Sequence, residues 1–186
     1  KHAGGNIGIL KGHELTINAL AASTVSHSCL FSGSRDWTVR LWDTETCQET
    51  SQNKIHRNVV SFAAAVPHED SFLQASEDLR LRVWDSRDFS QPSGVFEGAH
   101  NNILTCCGVS QDARLFVSAS NGFDGEGCEL KVWDRRQMKL LCDLKGHSQS
   151  VTCCAFLPTN SPTNPADSEF ARVVSGSQDA TLRVWS

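Results

Sequence analysis

The chain has 186 residues and carries 17 Lys and Arg against 21 Asp and Glu, for a net charge of -4. No basic run exceeds the pair Arg135-Arg136, so nothing resembles an electrostatic footprint for nucleic acid, and the longest apolar run, 59–67, is far too short to cross a bilayer. Eight cysteines with no Cys-x-x-Cys are too few for a disulfide scaffold and, with no Asn-x-Ser/Thr acceptor, imply a reducing, intracellular setting.

The opening residues Lys1-His2-Ala3-Gly4-Gly5 lack the apolar core of a signal peptide and an initiator Met, as expected for a stretch of a longer parent. A first strand is expected over 7–10, then a loop through Gly12-His13 and strands over 17–21 and 29–32. A turn at Arg35-Asp36-Trp37 leads into 38–42, which alternates and is rich in β-branched and aromatic residues. Further along, strands are expected at 47–51, 59–64, 71–75 and 79–84, with a polar turn at Pro67-His68-Glu69-Asp70. Val95-Phe96 is a weak strand, followed by 103–109, 115–119 and 129–133. The last four are 140–144, 151–157, 172–175 and 181–185. Long helical periodicity is absent, so the chain reads as all-β.

The pattern repeats. Ser-Gly-Ser-Arg-Asp at 32–36 and the strand ending Trp42-Asp43 return as 75–85, 128–134 and 175–186. Trp42, Trp84, Trp133 and Trp185 are 42, 49 and 52 residues apart, and His13, His56, His100 and His147 precede them at intervals of 43, 44 and 47. Periods of this size, with about four strands per unit, belong to β-propeller blades. Four residues after each His stand Ile17, Val60, Leu104 and Val151; two further on stand Ala19, Phe62, Cys106 and Cys153. Two residues before each Trp, on its own face of the strand, is Arg40, Arg82, Lys131 or Arg183. The units run over about 7–43, 44–85, 86–134 and 135–186 of a single region, 1–186. Two segments break the period. A Gly-rich insertion, 121–127, precedes the last strand of the third unit, and a Pro-, Asn- and Ser-rich stretch, 158–169, is expected to be mobile.

Gly-His, then Ser-x-Ser-x-Asp, then a strand ending Trp-Asp resembles the WD-repeat β-propeller family over nearly the whole chain. The resemblance implies blades of four antiparallel strands, and part of a seven- or eight-bladed propeller in preference to a closed four-bladed ring. It also implies a hydrogen-bonded tetrad in each blade. By position these are His13, Ser32, Asp36 and Trp42; His56, Asp78 and Trp84, with Gln74 in the Ser position; and His147, Ser175, Asp179 and Trp185. In the third unit His100, Ser118 and Trp133 fit, but Gly127 stands where the Asp belongs, and Asp124 of the insertion is the candidate replacement.

Ser, His and Asp together suggest acyl transfer. A group recurring in every unit is instead expected to be structural, since an enzyme needs one nucleophile in one cleft. No catalytic, cofactor or metal site is therefore expected. The pairs Cys106-Cys107 and Cys153-Cys154 would point their thiols to opposite faces of a strand, which suits core packing better than zinc. By resemblance, the face bearing the His loops and Asp turns is the contact surface. It holds Glu14, Arg35, Trp37, Asn58, Glu77, Asn102, Phe123, Asp124, Gln149 and Gln178, with Trp37 and Arg35 foremost. The expected function is a non-enzymatic scaffold or adaptor for other proteins or peptides, within a multi-protein complex, without nucleic acid or membrane insertion. The alternative is a structural subunit of a large cytoskeletal or ciliary assembly, which leaves the compartment cytoplasmic or cytoskeletal/ciliary. A modified-peptide reader would need an aromatic cage, for which Trp37 and Phe123 are the candidates, and a propeller enzyme would need a polar cluster at the channel mouth.

Overall fold

The computed structural model describes residues 5, 8–158 and 172–186. These residues form fifteen strands and no helix. The first sheet is β1 (Ile17–Ala22), β2 (Cys29–Ser34), β3 (Thr38–Asp43) and β4 (Gln48–Lys54), paired in that order. The second is β5 (Val60–Ala65), β6 (Ser71–Ser76), β7 (Leu81–Asp85) and β8 (Gly94–Phe96). The third is β9 (Leu104–Val109), β10 (Leu115–Ser120), β11 (Leu130–Asp134) and β12 (Lys139–Leu144). The last has three strands among the described residues, β13 (Val151–Phe156), β14 (Val173–Ser177) and β15 (Leu182–Trp185). All pairs are antiparallel, so short turns suffice to join them.

The first strands of the sheets lie side by side: β1 against β5, β5 against β9 and β9 against β13. The sheets therefore stack face to face like blades, in an arc that does not close into a ring. Three apolar joints hold them. Phe31, Val39 and Leu41 meet Val60, Phe72 and Trp84 in the first, where the rings of Phe31 and Phe72 stack at 5.2 Å. Leu73 and Leu81 meet Leu104, Phe116 and Trp133 in the second, with Phe96 edge-on to Trp133 at 5.5 Å. Val117, Leu130 and Val132 meet Val151 and Val173 in the third. Covered on both sides, β6 is buried along its whole length. At the two ends of the arc no described residue covers the sheets, and Leu20 and Leu182 are 61% and 78% exposed.

A bulge recurs at one place in every first strand, between Ile17 and Ala19, Val60 and Phe62, Leu104 and Cys106, and Val151 and Cys153. In three of the four the extra residue, Asn18, Thr105 or Thr152, donates its side chain to a backbone carbonyl, while the Ser61 hydroxyl has no partner among the described residues. Asn18 donates to Val60 O at 3.0 Å, and the Thr105 hydroxyl donates to Val151 O across the next joint but one. The cations two before each Trp lie over the sheet with their heads paired: Arg40 with Glu49 of β4 and Lys131 with Asp143 of β12, while Arg183 sits over the Trp185 ring at 5.9 Å.

Several expectations need correction. Residues 8–10 are not a strand, and Ile7 lies outside the described residues. The strand that follows each Trp joins the sheet of that Trp: β4 pairs with β3, β8 with β7 and β12 with β11. Each of the first three sheets thus takes its edge strand from the start of the following sequence unit. Leu79 is not in a strand, because its φ of 68° places it in the left-handed region, and β7 begins at Leu81. The stretch 158–169, beyond Pro158, lies outside the described residues.

Candidate functional site

In the first sheet, His13 enters from the loop before β1, Ser32 from β2, Asp36 from the turn and Trp42 from β3. Trp42 Nε1–H donates to Ser32 Oγ at 2.7 Å, the Ser32 hydroxyl meets His13 Nε2 at 2.7 Å, and His13 Nδ1 meets Asp36 Oδ2 at 2.9 Å. One set of protons satisfies all three bonds: indole N–H to hydroxyl, hydroxyl to Nε2, and Nδ1–H to carboxylate. The last sheet repeats it, with Trp185 to Ser175 at 2.8 Å, Ser175 to His147 at 2.7 Å and His147 to Asp179 at 2.8 Å.

Each Asp also caps its turn. Asp36 accepts the backbone N–H of Glu14 and Thr38 and the Thr38 hydroxyl, and Asp179 accepts the matching groups of Ser148 and Thr181. Burial alone would raise the Asp36 carboxyl. The donors from Thr38, Glu14 and His13 outweigh it and hold the group well below the usual carboxylate range. Asp179 is held down chiefly by the Thr181 hydroxyl, against some desolvation, with His147 adding to it. The Thr four residues before Trp is a member of the network that the sequence reading missed.

The middle sheets are wired differently. In the second, Trp84 donates to Gln74 Oε1 at 2.7 Å, and the Gln74 amide donates to Asn58 Oδ1. Asn58 also accepts from Arg82 at 2.9 Å, and Arg82 grips Asp78 with two bonds of 3.1 and 2.5 Å. His56 is not part of the network. It is exposed, and its ring stands edge-on to Trp37 at 4.9 Å. The physical reason is length: Gln74 reaches further than Ser, leaving room for the short amide of Asn58 and none for an imidazole. Asn58, expected on the contact face, is instead fully buried.

In the third sheet, Trp133 donates to Ser118 at 2.9 Å and Ser118 meets His100 Nε2 at 2.8 Å. Asp124 makes no hydrogen bond to His100, so it does not replace the missing turn carboxylate. The nearest carboxylate is that of Glu129, which stands at the Thr position, four before Trp133. Its Oε1 lies 3.7 Å from His100 Nδ1, too far for a hydrogen bond, and Nδ1 has no partner among the described residues. Burial, followed by the Lys131 charge, pushes His100 down to about 3. At that value the imidazole is neutral, and the Glu129 contact is not an ion pair.

This depression has a sign. Unfolded His100 takes a proton below about pH 6.5 and the folded group refuses it until about pH 3, so the associated stability is complete above pH 6.5 and drains as the pH falls. Urea titrations of the wild type and His100→Gln should therefore converge on acidification, at about 1.4 kcal/mol per pH unit below pH 6. A gap independent of pH would contradict it.

On the loop face, Arg35 is exposed, and its contact with Glu77 at 3.4 Å is a weak surface pair. Trp37 is half-buried against His56, and its φ of 69° puts it in the left-handed region, as with Leu79 and Ala180 at the same register. Asn102, Gln149 and Glu77 are partly covered, while Gln178, Asp124 and Phe123 are exposed, Phe123 by 73%. Among the described residues no group of three His, Cys, Asp or Glu could hold a metal. Cys106 and Cys154 do approach one another across the third joint, at 3.3 Å, while Cys107 points away toward Leu73 O.

Antiparallel sheets stacked as blades, each pinned by a Trp bonded through a hydroxyl or amide on the second strand, define a repeat propeller array. The WD domain, G-beta repeat family matches residues 4–43, 90–134 and 138–186. The chain belongs to that WD-repeat family. The stretch outside the match, 44–89, contains the rewired Asn58–Gln74 network. Relatives include guanine nucleotide-binding protein subunit beta-1 of Nicotiana tabacum, 26% identical over 94% of this chain and 45% of the relative. Nuclear distribution protein nudF of Aspergillus niger is 26% identical over 95% and 41%, and the ribosome biogenesis protein WDR12 homolog of Drosophila persimilis is 32% identical over 95% and 38%. The chain thus spans less than half the length of these relatives.

Proposed function

We propose that the chain is a non-enzymatic scaffold that binds other proteins through the loops on the face of the His loops and Asp turns. One observation carries the reading: the Ser, His and Asp groups brought together in the first and last sheets are enclosed and already bonded to one another. Ser32 is 2% exposed and shared between Trp42 and His13, and Ser175 is held in the same way by Trp185 and His147. A hydroxyl so enclosed meets no substrate. The loops above differ from unit to unit and carry Arg35, Trp37, Phe123 and Gln178. The name of the tobacco relative, a subunit of a guanine nucleotide-binding protein, and the wider membership of the family support a role inside complexes.

The test pairs Arg35→Glu with Trp37→Asn, since Asn tolerates the left-handed backbone at position 37. Capture from cell extract by the chain, read by mass spectrometry, should lose its specific partners by about tenfold or more with an unchanged melt. Full recovery of every partner would dispose of this pair as the contact point.

A further inference from the structure

The insertion 121–127 has no counterpart in the other units, and the tetrads do not use it. It is nonetheless firmly held. Phe123 and Glu126 exchange backbone bonds of 3.0 and 3.1 Å, closing a hairpin. Gly125 N–H donates to Ser148 O at 3.0 Å and Gly122 N–H donates to the Ser150 hydroxyl at 3.3 Å, both in the loop entering the last sheet. Ser150 in turn donates to Asn121, and Phe123 bridges Gln149. At the far end the Ser120 hydroxyl donates to Gly127 O at 2.7 Å. Gly127 has a φ of 69° and lies against the Asn102 amide, where a Cβ has no room. The loop is therefore tied to two blades before any partner arrives.

What it displays is an aromatic ring in water. Phe123 is 73% exposed, and, unlike Leu20 and Leu182, it does not belong to an uncovered sheet face at an end of the arc. The bonds on either side keep it from folding back into a joint. Its surroundings are negative: Asp124 and Glu126 are exposed and make no ion pair among the described residues, and Glu129 lies at the base. Across 121–129 and the facing 145–150, Lys145 is the sole Lys or Arg. The Cys128 thiol beneath is raised chiefly by burial, against a hydrogen bond at the Gly125 backbone that lowers it, with the charges of Glu129, Asp179 and Asp124 adding to the rise.

We infer that this loop is a docking point for a protein segment that sets an apolar side chain beside Lys or Arg, with Phe123 as the apolar anchor and Asp124 and Glu126 as the cation contacts. The inference rests on the scaffold reading and narrows it to one loop and one partner chemistry. A pre-ordered aromatic loses little freedom on binding, and fixed carboxylates repel nucleic acid and acidic segments.

A phage-displayed library of random dodecapeptides, selected on the chain, supplies the probe. Enriched peptides should pair an apolar residue with Lys or Arg, and their binding should fall about tenfold or more with Phe123→Ser. The double substitution Asp124→Asn with Glu126→Gln should weaken it several-fold, and raising salt from about 50 to about 300 mM should weaken the wild type but not the double variant. Both variants change exposed side chains, so an unchanged melt serves as the folding control. Enriched peptides that are acidic, or that ignore Phe123→Ser, overturn the inference. If such peptides depend instead on Arg35 and Trp37, the scaffold reading survives and this site does not. Absence of any enrichment removes both.

Discussion

Replacing Trp84 with alanine is expected to cost about 4 kcal/mol or more of unfolding free energy. The indole is wholly buried in the first joint, with Phe89 at 4.8 Å, and its N–H is the donor to Gln74. About 200 Å² removed from water is worth up to roughly 5 kcal/mol, and buried Trp→Ala changes fall at about 3–5. The orphaned Gln74 carbonyl adds about 1–3 kcal/mol, which will not sum cleanly with the cavity. His13→Ala forfeits hydrogen bonds worth only about 1 kcal/mol each and a smaller volume, so it should cost less than Trp84→Ala or Trp42→Ala. Thermal and urea melts of the three variants test the ranking. If His13→Ala proved the most damaging, the polar network and not the packed indole would be what holds a sheet together.

The second large effect is expected at Asp78. Arg82 is 2% exposed, and its guanidinium is satisfied by Asp78 and Asn58. Asp78→Ala leaves that charge buried and half-paired, a change that typically costs about 3–5 kcal/mol. Arg82→Met with Asp78→Ala removes both charges and keeps much of the apolar stem, so the double variant should recover most of the loss. A double-mutant cycle of the two positions measures this directly. Additive losses would show that Arg82 finds another partner or reaches water.

Much of this could be read from spacing alone. The beat of His and Trp located the sheets, and Ile17, Val60, Leu104 and Val151 marked the start of each first strand, because a buried column must recur at the blade period. Which sheet the strand after each Trp would join was not legible. Gln48–Lys54 is polar and exposed at an edge, and alternation within one strand says nothing about its pairing partner. The His56 assignment failed for a reason already visible at Gln74: a longer acceptor on the second strand requires a shorter partner opposite. Glu129 likewise stands in the Thr column, but that column has a meaning only once the Thr38 and Thr181 hydroxyls are seen on the caps of Asp36 and Asp179. The exposure of Phe123 and the ties of its loop to the neighbouring blade depend on three-dimensional placement, which a Gly-rich stretch does not announce.

The displaced edge strand bears on how such a chain can grow or shrink. Because β4, β8 and β12 are each encoded at the head of the following unit, deleting one unit at its sequence boundary exchanges the edge strand of the sheet before it: loss of 44–85 would set the three-residue β8 in the place of the seven-residue β4. Duplication or loss in units of this length keeps the four strands of each sheet together as they evolved only when the cut falls in the loops that carry the histidines. Those loops are the natural seams for recombining one propeller gene with another.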